Sequence, residues 1–364
     1  MDGKFPNIKF SNSPDAMLSV VKDVKPHPNA DRLDIISVKG YQCIVKKGEF
    51  AEKDKVLFIA PDARLNSNFE WVKTFQPFLG KNNRVKTVKI RGEYSEGIVI
   101  HYEKLLSYLK GIDLNDKTDG ICPADIGITH YEIANTGRSA LLMRAPHLPY
   151  GMLPTDQENV QNLEISELLG KTYLVTKKLD GSSCTITFEM DKHQWVQDVH
   201  ITSRRVDLRF DGDNAFIRTA KPIVDRVRHI FNARSYDGLT EEEIAFKNLF
   251  TNATRVYFRG ELTGEGINAN RANLDCFGAP KFNLFECVVC SNDSGQHRMN
   301  IKDVPLFEHV PILGTIVLNE EFIDEVLNWP KENGEGVVLW EIDKSGCLTG
   351  MSFKIKSKDY YANL

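Results

Sequence analysis

Short apolar runs rich in β-branched residues make up most of the N-terminal part of the chain. The runs are separated by Gly, Pro, Asn and Asp, a pattern that is typical of short strands joined by tight turns. They are MLSVVKDVKPH, LDIISVKGYQCIV, DKVLFIAP and RVKTVKIRGEYSEGIVI, and one insert without a strand pattern, NSNFEWVKTFQPFLG, interrupts them. So many short strands within residues 1–110 predict a small β-barrel domain.

The pattern changes after residues 111–150, where Gly, Pro and Asp cluster and periodicity is poor. We interpret this stretch as a linker or docking segment. From residue 151 to residue 364, helical repeats occur in GDNAFIRTAKPIVDRVRHIFNARS, LTEEEIAFKNLF and EEFIDEVLNWP. Strands are predicted between them, in KTYLVTKKL, SSCTITFEM, RVYFRGEL, KFNLFECVV, GEGVVLWEI and MSFKIKS. This part of the chain therefore predicts a second domain that mixes α and β structure.

The overall charge does not point to a nucleic-acid partner, because the 364 residues carry a formal net charge of -4. Any basic surface must therefore be local. The stretch KNNRVKTVKIRG, residues 81–92, has five basic residues and no acidic one. If it is a strand, Thr87, Lys89 and Arg91 share one face. Such a face suits a phosphate backbone, and the alternative is an ordinary solvated strand face.

Seven cysteines, an odd number spread over a long chain, favour free thiols in a reducing compartment. Cys287 and Cys290 have CxxC spacing, but no second pair accompanies them, so we interpret them as small apolar residues of a buried strand. No apolar run is long enough to span a bilayer, and the N-terminus lacks a secretory pattern. We expect an intracellular protein, with cytoplasmic, nuclear and organellar residence left open.

Two phosphate-binding loops are incomplete in this sequence. Gly170-Lys171-Thr172 resembles the end of a P-loop, but Ile165 occupies the position of the required earlier glycine. Gly264-Glu265-Gly266 with Ala269 resembles a dinucleotide fingerprint, but no convincing helix follows it.

Five short fragments occur in a fixed order, each on a predicted strand or at a strand end. Each is weak alone, since its ordinary reading is a surface turn or strand. Together they resemble the motif set of the covalent nucleotidyltransferases, which comprise ATP-dependent RNA and DNA ligases and GTP-dependent mRNA capping enzymes. The resemblance runs from about Met152 to the C-terminus. The fragments are K-x-D-G from Lys178, Arg259-Gly260-Glu261, Lys281 to Phe285, Glu335 to Val338, and Lys354-Ile355-Lys356.

The resemblance implies that Lys178 is the nucleophile. In the family this lysine attacks the α-phosphate of a nucleoside triphosphate and holds the nucleotide as a phosphoramidate. Lys177 precedes it on the strand and should point to the opposite face. An amine attacks only when unprotonated, so its pKa must be lowered by burial or nearby positive charge. The resemblance places Lys354 and Lys356 at the triphosphate, where we expect them to help lower the pKa of Lys178.

Three carboxylates match the acidic positions of the family: Asp180, Glu261 and Glu335. The resemblance implies that they hold the water shell of Mg²⁺ or Mn²⁺, which offsets the charge of the pyrophosphate leaving group. Glu261 is also implied to contact the ribose, so Glu261 and Glu335 belong to the ATP site as well. The ordinary reading of each is a surface acid.

Phe282 matches the family position that stacks on the purine base, although a core phenylalanine is the alternative. Arg204 resembles the arginine that touches ribose or phosphate, and the adjacent Arg205 leaves that register open. The chain departs from the RNA ligase pattern at Lys177, where these enzymes commonly carry Glu. The departure weakens an argument about base specificity and leaves the nucleophile in place.

The order of the domains discriminates within the superfamily. DNA ligases and capping enzymes carry a barrel domain after the Lys354 to Lys356 strand, whereas only eight residues follow here. The chain is therefore similar to ATP-dependent RNA ligases with an N-terminal OB domain. PTDQENVQN resembles the opening of their catalytic domain, and HPNADRLDIISV resembles tRNA-binding OB domains. The implied fold class is α+β, an N-terminal OB-type β-barrel and a C-terminal nucleotidyltransferase domain of antiparallel sheets with flanking helices.

The resemblance implies an ATP-dependent RNA ligase that repairs nicked RNA duplexes with 3′-OH and 5′-phosphate ends. Lysyl-AMP and an adenylylated 5′ end are the implied intermediates. Lys89 and Arg91 are expected to hold the RNA, and the protein is expected to act as a monomer. The alternatives are a capping guanylyltransferase, a minimal DNA ligase and a non-catalytic RNA-binding protein. An accessory protein of aminoacyl-tRNA synthesis would leave the second half of the chain unexplained.

Overall fold

The computed structural model of the protein describes residues 10–110, 112, 120–131, 142–268, 272–292 and 295–364. Backbone contacts divide the chain into two compact units. The first comprises Met1–Ala134 and Val160–Glu164, and the second comprises Asn135–Asn159 and Ile165–Leu364. Of the stretch 111–150 that we expected to be a linker, residues 111, 113–119 and 132–141 lie outside the described residues. The domain boundaries at residues 110 and 150 stay a prediction.

The first unit is built around a curled antiparallel sheet with the strand order β3-β2-β1-β4-β8. Two further pairs, β5 with β9 and β6 with β7, accompany it. A 3₁₀ helix, Glu70–Phe78, occupies the insert that lacked a strand pattern. The elements are β1 (Ala16–Pro26), β2 (Leu33–Val38), β3 (Tyr41–Lys46), β4 (Lys55–Ile59), β5 (Ala63–Leu65), β6 (Thr87–Ile90), β7 (Glu93–Glu96), β8 (Ile98–His101), α1 (Tyr102–Leu109) and β9 (Ile128–His130).

The sheet curls because the two halves of its longest strand, β1, pair with different neighbouring strands. Residues 16–20 pair with β4, and residues 21–26 pair with β2, with a bulge between Val21 and Asp23. A bulge bends a strand and increases its twist. Strand β4 is buried on both faces, with Leu57 in one apolar cluster and Phe58 in another. The apolar run in β4 is therefore continuous rather than alternating.

The predicted basic strand face is wrong in part, because strand β6 ends at Ile90. Thr87 is buried and Val88 is exposed. The Lys89 ammonium lies 4.7 Å from the Tyr94 ring centroid and donates to the Tyr94 hydroxyl at 3.2 Å. Arg91 has a φ of 49° and lies in the turn to β7, so strand alternation does not place it beside Lys89.

The stretch HPNADRL supports this turn. Asn29 N–H donates to His27 Nδ1 at 3.0 Å, which leaves His27 Nε2 as the donor to the Ile90 carbonyl at 3.1 Å. The Asn29 side chain donates to the Arg91 carbonyl at 3.0 Å. These side-chain and backbone hydrogen bonds therefore fix the tip of the β6–β7 hairpin.

The second unit contains two large sheets. A seven-stranded sheet has the order β10-β15-β14-β13-β16-β17-β18, and a five-stranded sheet has the order β11-β21-β20-β12-β19. Neighbouring strands are antiparallel, except that β11 and β21 are parallel. The strands are β10 (Met143–Ala145), β11 (Glu158–Asn159), β12 (Thr172–Lys178), β13 (Ser182–Met190), β14 (Val196–Thr202), β15 (Asp207–Leu208), β16 (Ala253–Thr263), β17 (Lys281–Ser291), β18 (Gly295–Met299), β19 (Ile312–Val317), β20 (Gly336–Ile342) and β21 (Leu348–Lys356).

Four helices flank these sheets in the described residues: α2 (Ala215–Asn232), α3 (Glu241–Leu249), α4 (Glu320–Leu327) and α5 (Lys358–Ala362). Helix α2 begins at its cap Asn214 and buries one stripe of residues against the seven-stranded sheet. Helix α3 begins with a capping box between Thr240 and Glu243. The predicted fold class is confirmed.

Cys287 and Cys290 both lie on β17, the first buried and the second half-buried. Residues three apart on a strand point to opposite faces, so they do not converge on a metal. Both thiols are free, as the sequence predicted. No helix among the described residues is both long and apolar enough to traverse a membrane.

We expect Phe246→Ala to lower the free energy of unfolding by about 3–5 kcal/mol, measured by urea denaturation. Phe246 on α3 is fully buried and contacts the rings of Phe231, Phe250, Phe258 and Phe307. The matched control is Phe277→Ala, since that side chain is 77% exposed and its loss should change stability by less than about 0.5 kcal/mol. Equal effects of the two substitutions would contradict this account of the core.

Candidate active site

Lys178 is the last residue of β12, the strand between β19 and β20. It pairs with Gly336 in β20, and Gly336 pairs in turn with Lys356 in β21. The register therefore sets both lysines at one level of the sheet, with Gly336 between them. Gly336 has a φ of 143°, and a Cβ there would lie 2.1 Å from the Ile355 carbonyl oxygen. Only glycine fits this position.

Glu335 directly precedes β20 and faces Lys178. The Lys178 Nζ donates to Glu335 Oε2 at 2.6 Å, and the two side chains are 24% and 6% exposed. Lys177 lies on the other face of β12 by strand alternation. Its side chain runs beside Gly334, where a Cβ would lie 2.9 Å from Lys177 Cε. The two consecutive lysines therefore have different surroundings.

Lys354 and Lys356 share the face of β21 opposite to the buried Phe353 and Ile355. Burial, together with the positive charges of Lys356 and Lys178, lowers the pKa of Lys354 to about 8. Lys356 and Lys178 are thus close enough to Lys354 to favour its neutral amine.

Asp180 and Glu261 complete the acidic side of the cluster. The Gly181 N–H, next to Asp180, donates to Glu261 Oε1 at 3.2 Å. Gly181 has no room for a side chain, because a Cβ would lie 2.0 Å from the Leu262 carbonyl oxygen on β16. Burial, together with the charges of Glu335 and Asp180, raises the pKa of Glu261 to about 8, although Lys178 opposes the rise. The close approach of Gly181 to Leu262 explains why glycine follows the aspartate of K-x-D-G.

The expected lowering of the Lys178 pKa is wrong for the protein alone. Burial lowers that pKa, but the charges of Glu335, Glu261 and Asp180 together outweigh burial and raise it above its usual value. In this structure Lys178 is therefore a protonated ammonium. An ammonium has no free electron pair, so Lys178 could serve as a nucleophile only after giving up a proton.

Arg204, which follows β14, forms an ion pair with Asp156, a residue that none of the sequence motifs indicated. The Arg204 Nε donates to Asp156 Oδ2 at 2.8 Å, and a second guanidinium nitrogen bonds the other oxygen. Burial raises the pKa of Asp156, but Arg204, Lys354 and Lys178 outweigh it and hold the pKa low. Asp156 is thus part of the cluster. It lies in PTDQENVQN, a stretch that the sequence analysis singled out without assigning this residue a role.

Phe282 lies in the core at 5% exposure. Its ring covers Gly260, where a Cβ would lie 2.5 Å from the ring, and its centroid is 6.0 Å from that of Phe307. The structure thus gives Phe282 the packing of a core phenylalanine. Its stacking on a base stays a prediction.

Two tyrosines near the C-terminus were also missed. The Tyr360 hydroxyl donates to Asp180, and the Tyr361 hydroxyl donates to Glu335. The Lys356 ammonium lies 4.1 Å from the Tyr361 ring centroid. Burial and the charge of Asp180 raise the pKa of Tyr360, so its hydroxyl remains a donor. The only sequence signal was their closeness to the Lys354 to Lys356 strand.

Asp180, Glu261 and Glu335 offer hard oxygen ligands of the kind that Mg²⁺ and Mn²⁺ accept. The described residues contain no group of three His, Cys, Asp or Glu arranged to hold a metal directly. Oxygens of Asp180 and Glu335 already accept hydrogen bonds from side chains. The donor chemistry therefore fits a divalent cation that keeps its waters. Lys89 and Arg91 belong to the first unit.

Comparison with known proteins identifies the class. Residues 171–356, half of the chain, match the model of the RNA ligase family, so the chain belongs to that family. Residues 16–102 match an OB-fold domain model. The protein is an RNA ligase with an N-terminal OB-fold domain. No curated protein matches the chain by sequence.

Solved structures of the Naegleria gruberi RNA ligase have the same fold. A variant with ATP and Mn has 22% identity and a TM-score of 0.69, covering 95% of this chain and 98% of that chain. A variant with AMP and Mn has 23% identity and a TM-score of 0.70, covering 96% and 98%. The Naegleria gruberi RNA ligase with PPi has 23% identity and a TM-score of 0.67, covering 96% of this chain and 98% of that chain.

We expect the Lys354 side chain to titrate with a midpoint of about 8 in the native protein, measured by NMR of ¹³C-methylated lysines. Lys356→Met should move this midpoint upward, because a neighbouring positive charge favours the neutral amine and its removal favours the ammonium. The wild-type protein under the same methylation serves as control. A midpoint that Lys356→Met leaves unchanged would show that the two lysines are not coupled.

Proposed function

We propose that this RNA ligase uses ATP and seals breaks with 3′-OH and 5′-phosphate ends in nicked RNA duplexes. The observation that carries the proposal is the placement of Lys178 between the carboxylates Asp180, Glu261 and Glu335 and the ammonium groups of Lys354 and Lys356. A half-buried lysine flanked by cations suits attack on a polyanion. The ligands named for the Naegleria structures, ATP, AMP and PPi, support nucleotide transfer as the first step.

In the first step the amine of Lys178 attacks the α-phosphorus of ATP. A P–N bond forms, the bond to pyrophosphate breaks, and the lysine loses its extra proton. Glu335, 2.6 Å from the Lys178 Nζ, is placed to receive that proton. Lys354 and Lys356 offset the negative charge of the triphosphate. Both lysines lie on β21, the strand that β20 holds beside Lys178.

A divalent cation, Mg²⁺ or Mn²⁺, would add positive charge at the triphosphate when bound. Asp180, Glu261 and Glu335 would hold its water shell. Arg204, oriented by Asp156, would contact the ribose or a phosphate, Glu261 would contact the ribose, and Phe282 would contact the base.

In the second step AMP passes from Lys178 to the 5′-phosphate of RNA. The P–N bond breaks, a phosphoanhydride bond forms, and the lysine nitrogen regains a proton. In the third step the 3′-OH attacks the activated phosphate, a phosphodiester forms, and AMP leaves. We propose that Lys89 and Arg91 hold phosphates of the duplex and that the enzyme acts as a monomer.

Label transfer from α-labelled ATP tests the first step. Wild type, freed of AMP by pyrophosphate, should acquire label in the presence of Mg²⁺ or Mn²⁺, and Lys178→Ala should acquire none. Lys177→Ala is the matched control, since it removes a neighbouring lysine from the other strand face and should label like wild type. Label from GTP alone would indicate a capping enzyme, and no label from either nucleotide would indicate a binding protein. An all-DNA nick sealed as well as RNA would indicate a DNA ligase.

Salt dependence tests the RNA contacts of the β6–β7 hairpin. Lys89→Ala and Arg91→Ala should each weaken binding of nicked RNA and reduce the slope of log K against log salt by about 0.9. Lys47→Ala removes an exposed lysine of the same unit outside the hairpin and should leave the slope unchanged. Equal slopes for all three variants and wild type would remove the hairpin from the RNA-binding surface.

A further inference from the structure

Helix α5 is attached to the candidate active site through its first turn. Ser357, the N-cap, is fully buried, and its N–H donates to the Glu335 carbonyl at 2.9 Å. The Ser357 hydroxyl donates to the Trp329 carbonyl at 2.7 Å and accepts from the Tyr360 N–H at 3.0 Å. The helix therefore starts at a fixed point next to the residue that pairs with Lys178.

Tyr361 connects both charge types of the site. Its hydroxyl donates to Glu335 Oε1, while Lys178 bonds the other oxygen, Oε2. Its ring lies against the Lys356 ammonium. Both oxygens of the Glu335 carboxylate thus accept a hydrogen bond, one from Lys178 and one from Tyr361. If Lys178 leaves to attack phosphorus, the Tyr361 hydroxyl still holds the carboxylate.

Tyr360 holds the Asp180 carboxylate in the same way. It lies on the buried side of the helix, where the residue is 1% exposed. Its hydroxyl donates to Asp180 Oδ2, and the Asn268 side chain donates to Oδ1. The Asp180 N–H donates to Asp275 at 3.0 Å. Successive residues of a helix point about 100° apart, so one short helix reaches two carboxylates on different strand ends.

We propose that Tyr360 and Tyr361 are positioning residues for lysine adenylylation. Helix α5 fixes the Asp180 and Glu335 carboxylates relative to each other, so that they keep their orientation when the Lys178 amine moves from Glu335 to phosphorus. Free carboxylate side chains lose rotamer entropy when they are ordered, and the two hydroxyls remove that cost before the reaction. The proposal rests on the proposed function, because it concerns the lysyl-AMP step.

Tyr361→Phe tests the hydroxyl and keeps the ring. We expect the rate of lysyl-AMP formation at saturating ATP to fall about tenfold, because a hydrogen bond to a charged group is lost, while the apparent KM for ATP stays near the wild-type value. Tyr361→Leu also loses the ring that faces Lys356, so its KM should rise as well. Tyr360→Phe should lower the rate like Tyr361→Phe.

Tyr173→Phe is the matched control. Tyr173 is a fully buried tyrosine of β12 whose hydroxyl donates to the Leu168 carbonyl at 3.3 Å, outside the site. Its adenylylation rate should equal that of wild type, and thermal unfolding of each variant checks its folding. Wild-type rates in folded Tyr361→Phe and Tyr360→Phe would overturn the proposal. A rate loss in Tyr173→Phe of the same size would reduce it to a general packing effect. Absence of label on wild type would instead reject the proposed function.

Discussion

The alignment of β12, β20 and β21 at Gly336 is the constraint on which the site depends. It brings Lys178, Glu335 and Lys356 together from positions far apart in the chain. A side chain at Gly336 would collide with the Ile355 carbonyl and separate the strands. Gly181 imposes a similar limit against β16, where it also donates to Glu261. Two glycines without room for a Cβ therefore set the distances between the charged groups.

The electrostatic balance of the cluster favours the protonated form of Lys178. Three carboxylates outweigh burial and raise the pKa of Lys178, so that it is an ammonium paired with Glu335. Burial and neighbouring charges of like sign raise the pKa of Glu261 to about 8 and lower that of Lys354 to about 8. A polyanion beside Lys354 and Lys356 would change the balance between carboxylates and ammonium groups. It would add negative charge next to the lysines and compete with the carboxylates for them.

The strands that carry the motifs were predictable, because each has a long apolar run ended by a glycine or a charged pair: β13 and β16 are examples. Helix α1, YEKLLSYL, and strand β14, VQDVHIT, were missed, since each is short and rich in polar residues. The turn at Arg91 was missed because a positive φ at a non-glycine residue leaves no trace in strand periodicity. Asp156, Tyr360 and Tyr361 were missed because their roles depend on tertiary contacts, which no local spacing encodes.

Burying opposed charges around one lysine costs stability unless each charge keeps partners. The structure supplies them from backbone and neutral groups: the Gly181 N–H for Glu261, the Asn268 amide for Asp180, and the Tyr361 hydroxyl for Glu335. Neutral donors hold a carboxylate without cancelling its charge. A site whose carboxylates were held only by lysines would lose that support whenever its nucleophile moved. The surrounding neutral donors therefore support the carboxylates independently of the ion pair with Lys178.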